Sequence, residues 1–451
     1  MSSQATADLL IEVQALIRER EREGVLGLAE VIGPAEWADL VPELEPSEVA
    51  ILIQWLPDEE IALILEELPP TEAARILRTL SVPEAGALLG EMDPDDAADV
   101  VEVLPDEDAN EILVRMRPDD AAEIRQLSGY EPDTAGGIMT PEYVAVSKDA
   151  TSAQALAAIR RLVDEAETVN YVYVVDEERH LLGVLSLYRL LLSPERTPVV
   201  DLMAQSTVRV RATADQETAA RLLTDRNLLA IPVVDDEDHL IGIITEDDVA
   251  DVIEAEATED IERLGGSQPL NLPYRFASVP LLVRKRVGWL LLLFIAQGYT
   301  GTVLQSFRGE LAAVVALSFF IPLLIGTGGN IGSQTVTLVV RAMALGEVAM
   351  RDIGWLVFKE LRVGLVIGLF MALVGIGQAV FLHVSNDIAL VVALTLISIS
   401  VWSATVASAL PLVLRRLGVD PAVVSAPLIS TLVDGTGLII YFEIAKLVLS
   451  L

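Results

Sequence analysis

Residues 321–340 read IPLLIGTGGNIGSQTVTLVV, a stretch without a charged side chain. Its length and apolar ends are typical of a helix that crosses the hydrocarbon core of a membrane. Its middle, residues 326–335, is instead rich in glycine and polar side chains, and Pro322 precedes it. Irregular backbone is tolerated at membrane depth where it lines a watered cavity, so this segment predicts an interrupted span beside a pore. Close helix packing through glycine is the alternative.

Four other apolar segments accompany this one, and the five predicted spans are residues 285–306, 311–340, 354–382, 388–414 and 421–446. Nine basic residues near the spans lie on the side of the N-terminal half, against Arg308 and Lys446 on the other side. We therefore expect a multi-pass protein of the cell (inner) membrane, with cytoplasmic N-terminal domains and the C-terminus outside. The first residues do not read as a cleaved signal peptide.

One acidic residue falls deep within the fifth span. Asp434 follows Pro421 by 13 residues in PAVVSAPLISTLVDGTGLIIYF, residues 421–442, and would lie about 20 Å into a helix that begins at that proline. A carboxylate at this depth is costly unless it meets water or a cation, which makes a functional role the default. A structural hydrogen bond to a neighbouring span is the alternative.

A pore built around this acid suits Mg²⁺. Two chains about a two-fold axis would supply a pair of carboxylates, and Mg²⁺ binds through one or two carboxylates while it keeps several waters. Histidine and cysteine are absent nearby, which disfavours Zn²⁺ and copper. Carbonyl groups of the GTGGN segment and a turn at Ser430 complete the predicted pore lining, which comprises Gly326, Gly328, Gly329, Asn330 and Ser430.

The N-terminal half has the opposite composition. Residues 277–451 hold eight acidic and eleven basic residues, whereas residues 1–276 hold 59 acidic and 20 basic ones, a net charge of -39. Such a surface attracts cations and repels nucleic acid, so we expect a cation sensor and no nucleic-acid partner; plain solubility is the alternative. The chain has no cysteine, which excludes disulfides and thiolate metal sites.

Two kinds of repeat organise this half. Prolines recur every 11 to 13 residues from Pro46 to Pro118, mostly before acids and an apolar stretch. Each unit predicts one short helix with proline in its first turn, and the units must stack into a solenoid to bury their apolar faces. Residues 171–190 and 230–249 align with each other as strand, acidic turn, strand and helix start. They resemble a tandem pair of CBS domains, an α/β regulatory module that often binds adenosine nucleotides or metal ions.

The whole chain resembles the MgtE family of magnesium channels. The segments that carry this resemblance are AGGIMTPEYVAV, EAEATEDI, LLIGTGGNIGSQT, LRRLGVDPA and STLVDGTGLIIYF. The resemblance implies a homodimer in the lipid bilayer and a multi-domain fold. Its expected parts are an all-α superhelical N-domain at 1–132, α/β CBS domains at 133–200 and 201–252, a connecting (plug) helix at 253–276 and a five-helix α transmembrane domain at 277–451.

The resemblance also implies metal ligands. It centres the intramembrane Mg²⁺ site on Asp434 and places cytosolic Mg²⁺ sites on acids of the second CBS domain and the connecting helix. On the matching motifs these acids are Asp215, Glu217, Asp248, Asp251, Glu256, Glu259 and Asp260. The chain departs from the family at Ser333 and Ala426, where members often have asparagine.

Two further groups are candidates. Asp95, Asp96 and Asp99 face the same way on one short helix and are candidates to share an ion with the connecting helix; a solvated face is the alternative. TEDD, residues 245–248, is the T-x-x-D pattern with which CBS domains hold a ribose, so Thr245 and Asp248 are candidate ligands of ATP or another adenine nucleotide. Asp248 has an alternative role with the connecting helix.

The sequence thus predicts a Mg²⁺-selective channel or transporter for magnesium uptake, closed when cytosolic Mg²⁺ binds the acidic N and CBS domains. A transporter or exchanger for Mn²⁺ or Co²⁺ is the first alternative, and a membrane-anchored nucleotide sensor is the second. No enzyme is expected, because no nucleophile–base pair or phosphate-cradling loop stands out and the three histidines are scattered.

Overall fold

The computed structural model describes residues 3–163, 166–205, 208–270, 272, 274 and 277–451. The chain forms two compact units, Met1–Ala255 and Glu256–Leu451, each with its own hydrophobic core. The boundary falls inside one helix.

The first part of unit one is the predicted solenoid of short helices. Proline stands at the first position of four helices and at the second position or the N-cap of three more, where its missing N–H is harmless. The helices are α1 Ser3–Glu19, α2 Arg22–Ala29, α3 Pro34–Leu40, α4 Pro46–Trp55, α5 Asp58–Glu66, α6 Pro70–Leu77, α7 Val82–Leu89, α8 Pro94–Val103, α9 Asp106–Arg115 and α10 Pro118–Leu127.

The second part of unit one is the predicted pair of α/β repeats. Each repeat has a three-stranded sheet in which the first pair of strands is parallel and the second pair antiparallel. The strands are β1 Tyr143–Ser147, β2 Thr168–Val175, β3 Leu181–Ser186, β4 Val210–Arg211, β5 Ala230–Val234 and β6 Leu240–Thr245. The helices are α11 Ser152–Leu162, α12 Leu187–Leu192, α13 Val199–Leu202, α14 Gln216–Arg226 and α15 Glu246–Leu264.

Helix α15 differs in extent from the predicted connecting helix. It begins at Glu246, directly after β6, and ends at Leu264. Gly266 then takes a φ of +77°, a left-handed conformation that favours glycine and stops the helix. Within the described residues of the predicted 253–276 segment, only residues 253–264 are therefore α-helical.

Unit two contains long apolar helices. They are α16 Val279–Ser306, α17 Arg308–Ala313, α18 Ile321–Ala344, α19 Ile353–Phe381, α20 Asn386–Arg416 and α21 Ala426–Leu449. Among the described residues, three helical segments are long and apolar enough to cross a membrane: Val315–Ala344, Met350–Phe381 and Asn386–Arg416. The other two predicted spans lie in α16 and α21, and their crossing of a membrane stays a prediction.

Small residues let these helices approach closely. A Cβ on Gly364 of α19 would lie 2.8 Å from the backbone of Ser400 in α20, and one on Gly368 would lie 2.8 Å from Ile397. Ala372 continues the same buried stripe of α19. Without a hydrophobic driving force between helices in lipid, such close van der Waals contact is what holds them together.

Candidate ion-binding sites

The glycine-rich middle of the second predicted span is helical. Helix α18 runs without a break from Ile321 to Ala344, and Pro322 lies in its first turn. The predicted interruption at Pro322 and at residues 326–335 is therefore wrong. Hydrogen bonds within the helix satisfy the backbone that a broken segment would have left open.

Two of these glycines pack closely within the chain. A Cβ on Gly328 would lie 2.7 and 2.8 Å from side chains of α20 and α21, and one on Gly329 would lie 3.0 Å from Ser430 Oγ. The Gly328 carbonyl accepts a hydrogen bond from Ser403 Oγ at 2.6 Å. This geometry supports the packing explanation for both glycines.

The opposite face of α18 carries exposed polar residues. Gly326, Asn330 and Gln334 are exposed and follow one another at intervals of four residues, which places them on one stripe of the helix. A Cβ on Gly326 would meet nothing within 4 Å. Of the predicted pore-lining residues, Gly326 and Asn330 thus lie on a polar stripe that the chain itself leaves uncovered.

Ser430 lies inside α21, one helical turn before Asp434, and its place in the pore lining stays a prediction. Its Oγ is 3.4 Å from Ser333 Oγ of α18, and Ser333 Oγ donates to the carbonyl of Ala426 at 3.4 Å. The two positions where the chain departs from the family, Ser333 and Ala426, therefore touch each other across the contact between α18 and α21.

Asp434 is a buried carboxylate on a helix that is covered on several sides. Because α21 begins at Ala426 and not at Pro421, Asp434 lies about 12 Å into the helix, less deep than predicted. Its side chain is 8% exposed and makes a hydrogen bond with Gln297 of α16. A Cβ on the next residue, Gly435, would collide with Tyr299 of α16. The acid thus faces α16 at close range.

The acids of unit one form a cluster at the start of α8. Carboxylate oxygens of Glu66, Asp93 and Asp96 lie within 4.8 Å of one another, and so do those of Asp93, Glu142 and Glu167. Asp93 belongs to both groups, and its backbone N–H donates to Glu66 at 2.8 Å. We call these five residues, with Asp95 and Asp248, the acidic cluster.

Burial and mutual repulsion make the acidic cluster costly without a cation. Burial and the nearby Glu66 and Asp93 carboxylates raise the pKa of Asp96 to about 8. The pKa of Glu167 rises to about 8 by burial and by repulsion from Asp93 and Asp248. Burial, and then repulsion from Asp248, holds the pKa of Asp95 well above its usual range. Every charged group named here is a carboxylate, so each prefers a proton or a cation beside it.

The cluster fits a divalent cation. Asp95 Oδ1 is buried and has no hydrogen-bond partner, and the acidic cluster gathers carboxylates from five helices or loops. Mg²⁺ is a hard ion that takes carboxylate oxygens and supplies waters to the remaining groups. Repulsion from Asp248, at the start of α15, adds to the pKa rise of both Asp95 and Asp96, so the three carboxylates lie near one another, and an ion shared with α15 stays a prediction. Asp99 lies one turn further along α8 and is exposed.

The other predicted sensor acids have different surroundings. Asp215 is the N-cap of α14 and accepts from the Glu217 N–H at 2.9 Å, while Glu217 pairs with Arg221. Glu259 pairs with Arg263 one turn away on α15. Burial, and then repulsion from Glu254 and Asp247, raises the pKa of Asp251. Glu256 and Asp260 also lie on α15 and have interaction partners.

The T-x-x-D pattern at 245–248 caps a helix. Thr245 N–H and Thr245 Oγ each donate to Asp248 Oδ2 at 2.8 Å, at the start of α15. Thr245 is 4% exposed. The hydroxyl and the carboxylate that would hold a ribose are bonded to each other here.

Sequence analysis missed several functional candidates. Glu66, Asp93, Glu142 and Glu167 join the acidic cluster, and Gln297 joins Asp434. Gln297 had a readable signal, since it is a polar amide within an apolar stretch. The four acids had none, because many acids of this half look alike until the fold brings a few together.

A strongly acidic unit with paired α/β repeats, joined to apolar helices with one buried acid, indicates a class of protein: membrane transporters of cations. Three family matches agree with that class. Residues 321–444 match "Divalent cation transporter" (MgtE), residues 32–133 match "MgtE intracellular N domain", and residues 135–194 and 199–255 match "CBS domain".

Relatives and solved structures narrow the class. The chain is 45% identical to "Magnesium transporter MgtE" of Thermus thermophilus over 72% of each chain, and 35% identical to that of Enterococcus faecalis over 72% of this chain and 71% of the relative. The cytosolic domain of the Mg²⁺ channel MgtE in complex with ATP aligns with a TM-score of 0.52 at 38% identity, over 54% of this chain and 99% of that one. The soluble part of a magnesium transporter aligns with a TM-score of 0.52 at 31% identity, over 56% and 99%. The chain belongs to the MgtE family of magnesium transporters.

Proposed function

We propose that this chain carries Mg²⁺ across the cell membrane and that selective passage of the ion depends on Asp434. The observation that carries the proposal is a buried carboxylate in an apolar helix with a neutral amide, Gln297, beside it. A carboxylate so placed is stabilised by a cation, and Mg²⁺ needs one or two carboxylates because it retains most of its water. Family membership supports magnesium as the ion.

The direct test is Mg²⁺ flux into liposomes that contain purified protein. Asp434→Asn keeps the shape and the hydrogen-bonding capacity of the side chain but removes its charge, so we expect selective Mg²⁺ flux to be lost while the protein stays folded. Glu443→Gln is the matched control, an exposed acid on the same helix. Wild-type selectivity in Asp434→Asn would contradict the proposal. Competition by Mn²⁺ and Co²⁺ in the same assay tests the alternative ions.

Assembly and topology are part of the same proposal. We infer a homodimer, in which the exposed polar stripe of α18 and a second copy of Asp434 would enclose a path that one chain leaves open. The N-terminal half faces the cytoplasm and the C-terminus lies outside, as the distribution of basic residues supports. The domain division at 1–132, 133–200, 201–252, 253–276 and 277–451 is retained, with the plug helix shortened to its helical part.

Regulation is assigned to the acidic cluster. At low cytosolic Mg²⁺ its carboxylates repel one another, and bound Mg²⁺ removes the repulsion and favours the compact state of unit one. We propose that α15, which starts beside Asp248 and ends in unit two, carries this difference to the membrane helices and closes them. Asp251, Glu256, Glu259 and Asp260 would respond on the same helix, with Asp215 and Glu217 as outlying ligands.

Nucleotide binding is a second candidate function of the CBS pair. The relative of known structure that was solved with ATP supports it. The bond between Thr245 and Asp248 weighs against the ribose role, because nucleotide would have to break it. Isothermal titration of the full-length protein with ATP, with and without Mg²⁺, decides the question. No enzymatic activity is proposed, in keeping with relatives that are named as transporters.

A further inference from the structure

Two of the three histidines, far apart in the sequence, stack on each other where the two α/β repeats of unit one meet. The rings of His180 and His239 have centroids 4.5 Å apart and planes inclined by 25°. Each histidine follows the acidic turn of its own repeat, between β2 and β3 in the first repeat and between β5 and β6 in the second. The fold therefore joins two residues that the sequence shows only as scattered.

The backbone of both repeats holds this pair in place. His180 and His239 form an antiparallel bridge. Two backbone hydrogen bonds flank it, at 3.2 and 3.0 Å, each from the residue that follows one histidine to the residue that precedes the other. Bonds in these positions define a non-hydrogen-bonded cross-strand pair, in which the two side chains lie on the same face and close together.

An aspartate sets the tautomer of each ring. His180 Nδ1 lies 3.0 Å from Asp176 Oδ2, and His239 Nδ1 lies 2.8 Å from Asp235 Oδ2. Each aspartate also accepts the backbone N–H of its histidine. An ionised carboxylate only accepts hydrogen bonds, so each Nδ1 carries a proton and each neutral ring has its lone pair on Nε2. Within the described part of the chain, both Nε2 atoms are without a hydrogen-bond partner.

This arrangement is typical of metal-binding histidines. A histidine that binds a metal through one ring nitrogen commonly donates the other N–H to a carboxylate, which orients the ring. Two imidazoles that share one metal ion hold their nitrogens about 3 Å apart, and rings stacked at 4.5 Å reach that separation by a small rotation of each side chain. Glu237 has an oxygen within 4.8 Å of ligand atoms of Asp235 and His239. Glu178, its counterpart in the first repeat, has an oxygen 3.9 Å from His180 Nδ1.

The donor atoms select the kind of ion. Imidazole nitrogen suits Zn²⁺, Ni²⁺ and Cu²⁺, whereas Mg²⁺ prefers a shell of oxygen ligands. The histidine pair thus differs from the acidic cluster, whose members are all carboxylates. The side chains of His180 and His239 are 32% and 34% exposed, so an ion reaches them from solution.

We propose that His180 and His239 bind one transition-metal ion of the Zn²⁺ class, and that this ion ties the two α/β repeats together. Each repeat supplies one imidazole through Nε2, while the nearby glutamates and water complete the shell of the ion. A ligand that binds only the folded pair of repeats stabilises it, so Zn²⁺ should raise the unfolding temperature. The site is independent of the proposed function, because none of its residues belongs to the acidic cluster or to unit two.

The first test is isothermal titration of the full-length protein with Zn²⁺ in millimolar Mg²⁺, which occupies carboxylate sites. We expect one Zn²⁺ per chain to bind at micromolar concentrations. His180→Gln and His239→Gln should each weaken this binding by about 100-fold or more, and Asp176→Asn, which removes only the support of one ring, by about 10- to 100-fold. His383→Gln changes the exposed third histidine and is the matched control, with binding as in the wild type.

The second test needs no variant. Diethyl pyrocarbonate modifies unprotonated imidazole nitrogen, and peptide mass spectrometry of the full-length protein reports each histidine separately. Zn²⁺ should slow the modification of His180 and His239 several-fold and leave that of His383 unchanged. Mg²⁺ alone should protect none of the three, and a chelator should restore the original rates.

Two results would overturn the proposal. Zn²⁺ binding that is unchanged in the double variant His180→Gln with His239→Gln would place the ion on carboxylates instead. Modification of His180 and His239 at the same rate with and without Zn²⁺ would leave the stacked pair as a structural contact between the repeats. The unfolding temperature without Zn²⁺ is measured on every variant, and the second test holds even where a variant is less stable.

Discussion

The contact between Asp434 and Gln297 is the most consequential one at the scale of single residues. An amide can donate to a carboxylate without neutralising it, so Gln297 orients the acid and leaves its charge for an ion. Thr300, one turn further along α16, is 5% exposed and its hydroxyl has no partner. Through Gln297, α16 therefore brings a polar group to a site that the sequence assigned to α18 and α21 alone.

We predict that Gln297→Leu reduces Mg²⁺ flux by about ten-fold or more, because the loss of a hydrogen bond to a charged group leaves the carboxylate poorly oriented. Gln305→Leu is the matched control, since Gln305 lies near the end of the same helix and is exposed. Flux and thermal stability are measured together on each variant. Equal flux per folded protein in Gln297→Leu and Gln305→Leu would show that α16 takes no part in the site.

The acidic cluster gives a prediction about pH. The folded state holds the pKa of Asp248 at about 6, that of Glu66 at about 7 and that of Asp96 at about 8, all above their usual values. The folded protein therefore binds more protons than the unfolded one between about pH 4 and 8. Stability is greatest below that window and falls as pH rises through it.

We therefore expect the unfolding temperature of the full-length protein, followed by calorimetry in chelator, to drop from pH 5 to pH 8. Mg²⁺ should raise that temperature much more at pH 8 than at pH 5, since protons compete for the same oxygens. Asp58→Asn, an acid in the first turn of α5, should leave the pH dependence unchanged. An equal Mg²⁺ effect at both pH values would contradict the cluster as a metal site.

At the scale of elements, the glycines of α18 fall into two groups, those packed against other helices and those that are exposed. A Cβ on Gly328 would collide with α20 and α21, whereas one on Gly326 would meet open space. Gly328→Val should therefore lower the unfolding temperature and the yield of folded protein. Gly326→Val should leave both unchanged and should reduce flux, because its side chain would project from the exposed polar stripe. Normal flux in a stable Gly326→Val protein would remove this stripe from the pore lining.

The elements themselves were largely predictable, and the reason is physical. Proline spacing fixed the starts of α4 to α10, and the repeated alternation of apolar residues and acidic turns predicted both sheets. The pattern of residues 326–335 led to a wrong prediction of an interrupted helix. The sequence alone does not distinguish a glycine that interrupts a helix from a glycine that lets two helices pack closely. Only the neighbours of Gly328 distinguish them. Likewise, Glu167 could be joined to Asp93 only by tertiary contacts.

At the scale of the whole molecule, the charge of -39 in residues 1–276 should make the response to Mg²⁺ visible without any flux assay. We expect millimolar Mg²⁺ to slow hydrogen exchange in α8 and at the start of α15, because it removes repulsion between their carboxylates. NaCl of equal ionic strength is the control, since simple screening would act in the same way. Equal protection by NaCl would mean that the acidic half is only a solubilising surface.

One variant sharpens this measurement. Asp251→Ala removes a carboxylate beside the acidic cluster while the rest of the charge remains, and it should require more Mg²⁺ for the same protection and for closure. Asp251 serves this purpose better than Glu259, which is already paired with Arg263. Unchanged Mg²⁺ dependence in Asp251→Ala would confine the response to other acids.

The continuity of α15 sets a rule of angular phase. Each residue of an α-helix turns the next by about 100°, so the number of residues between two positions of a helix fixes the angle between their side chains. One residue inserted into α15 would rotate every side chain beyond it by about a quarter-turn or more, whereas seven would restore their directions almost fully. We therefore expect α15 to tolerate most substitutions on its exposed face better than insertions or deletions that are not close to a whole number of turns.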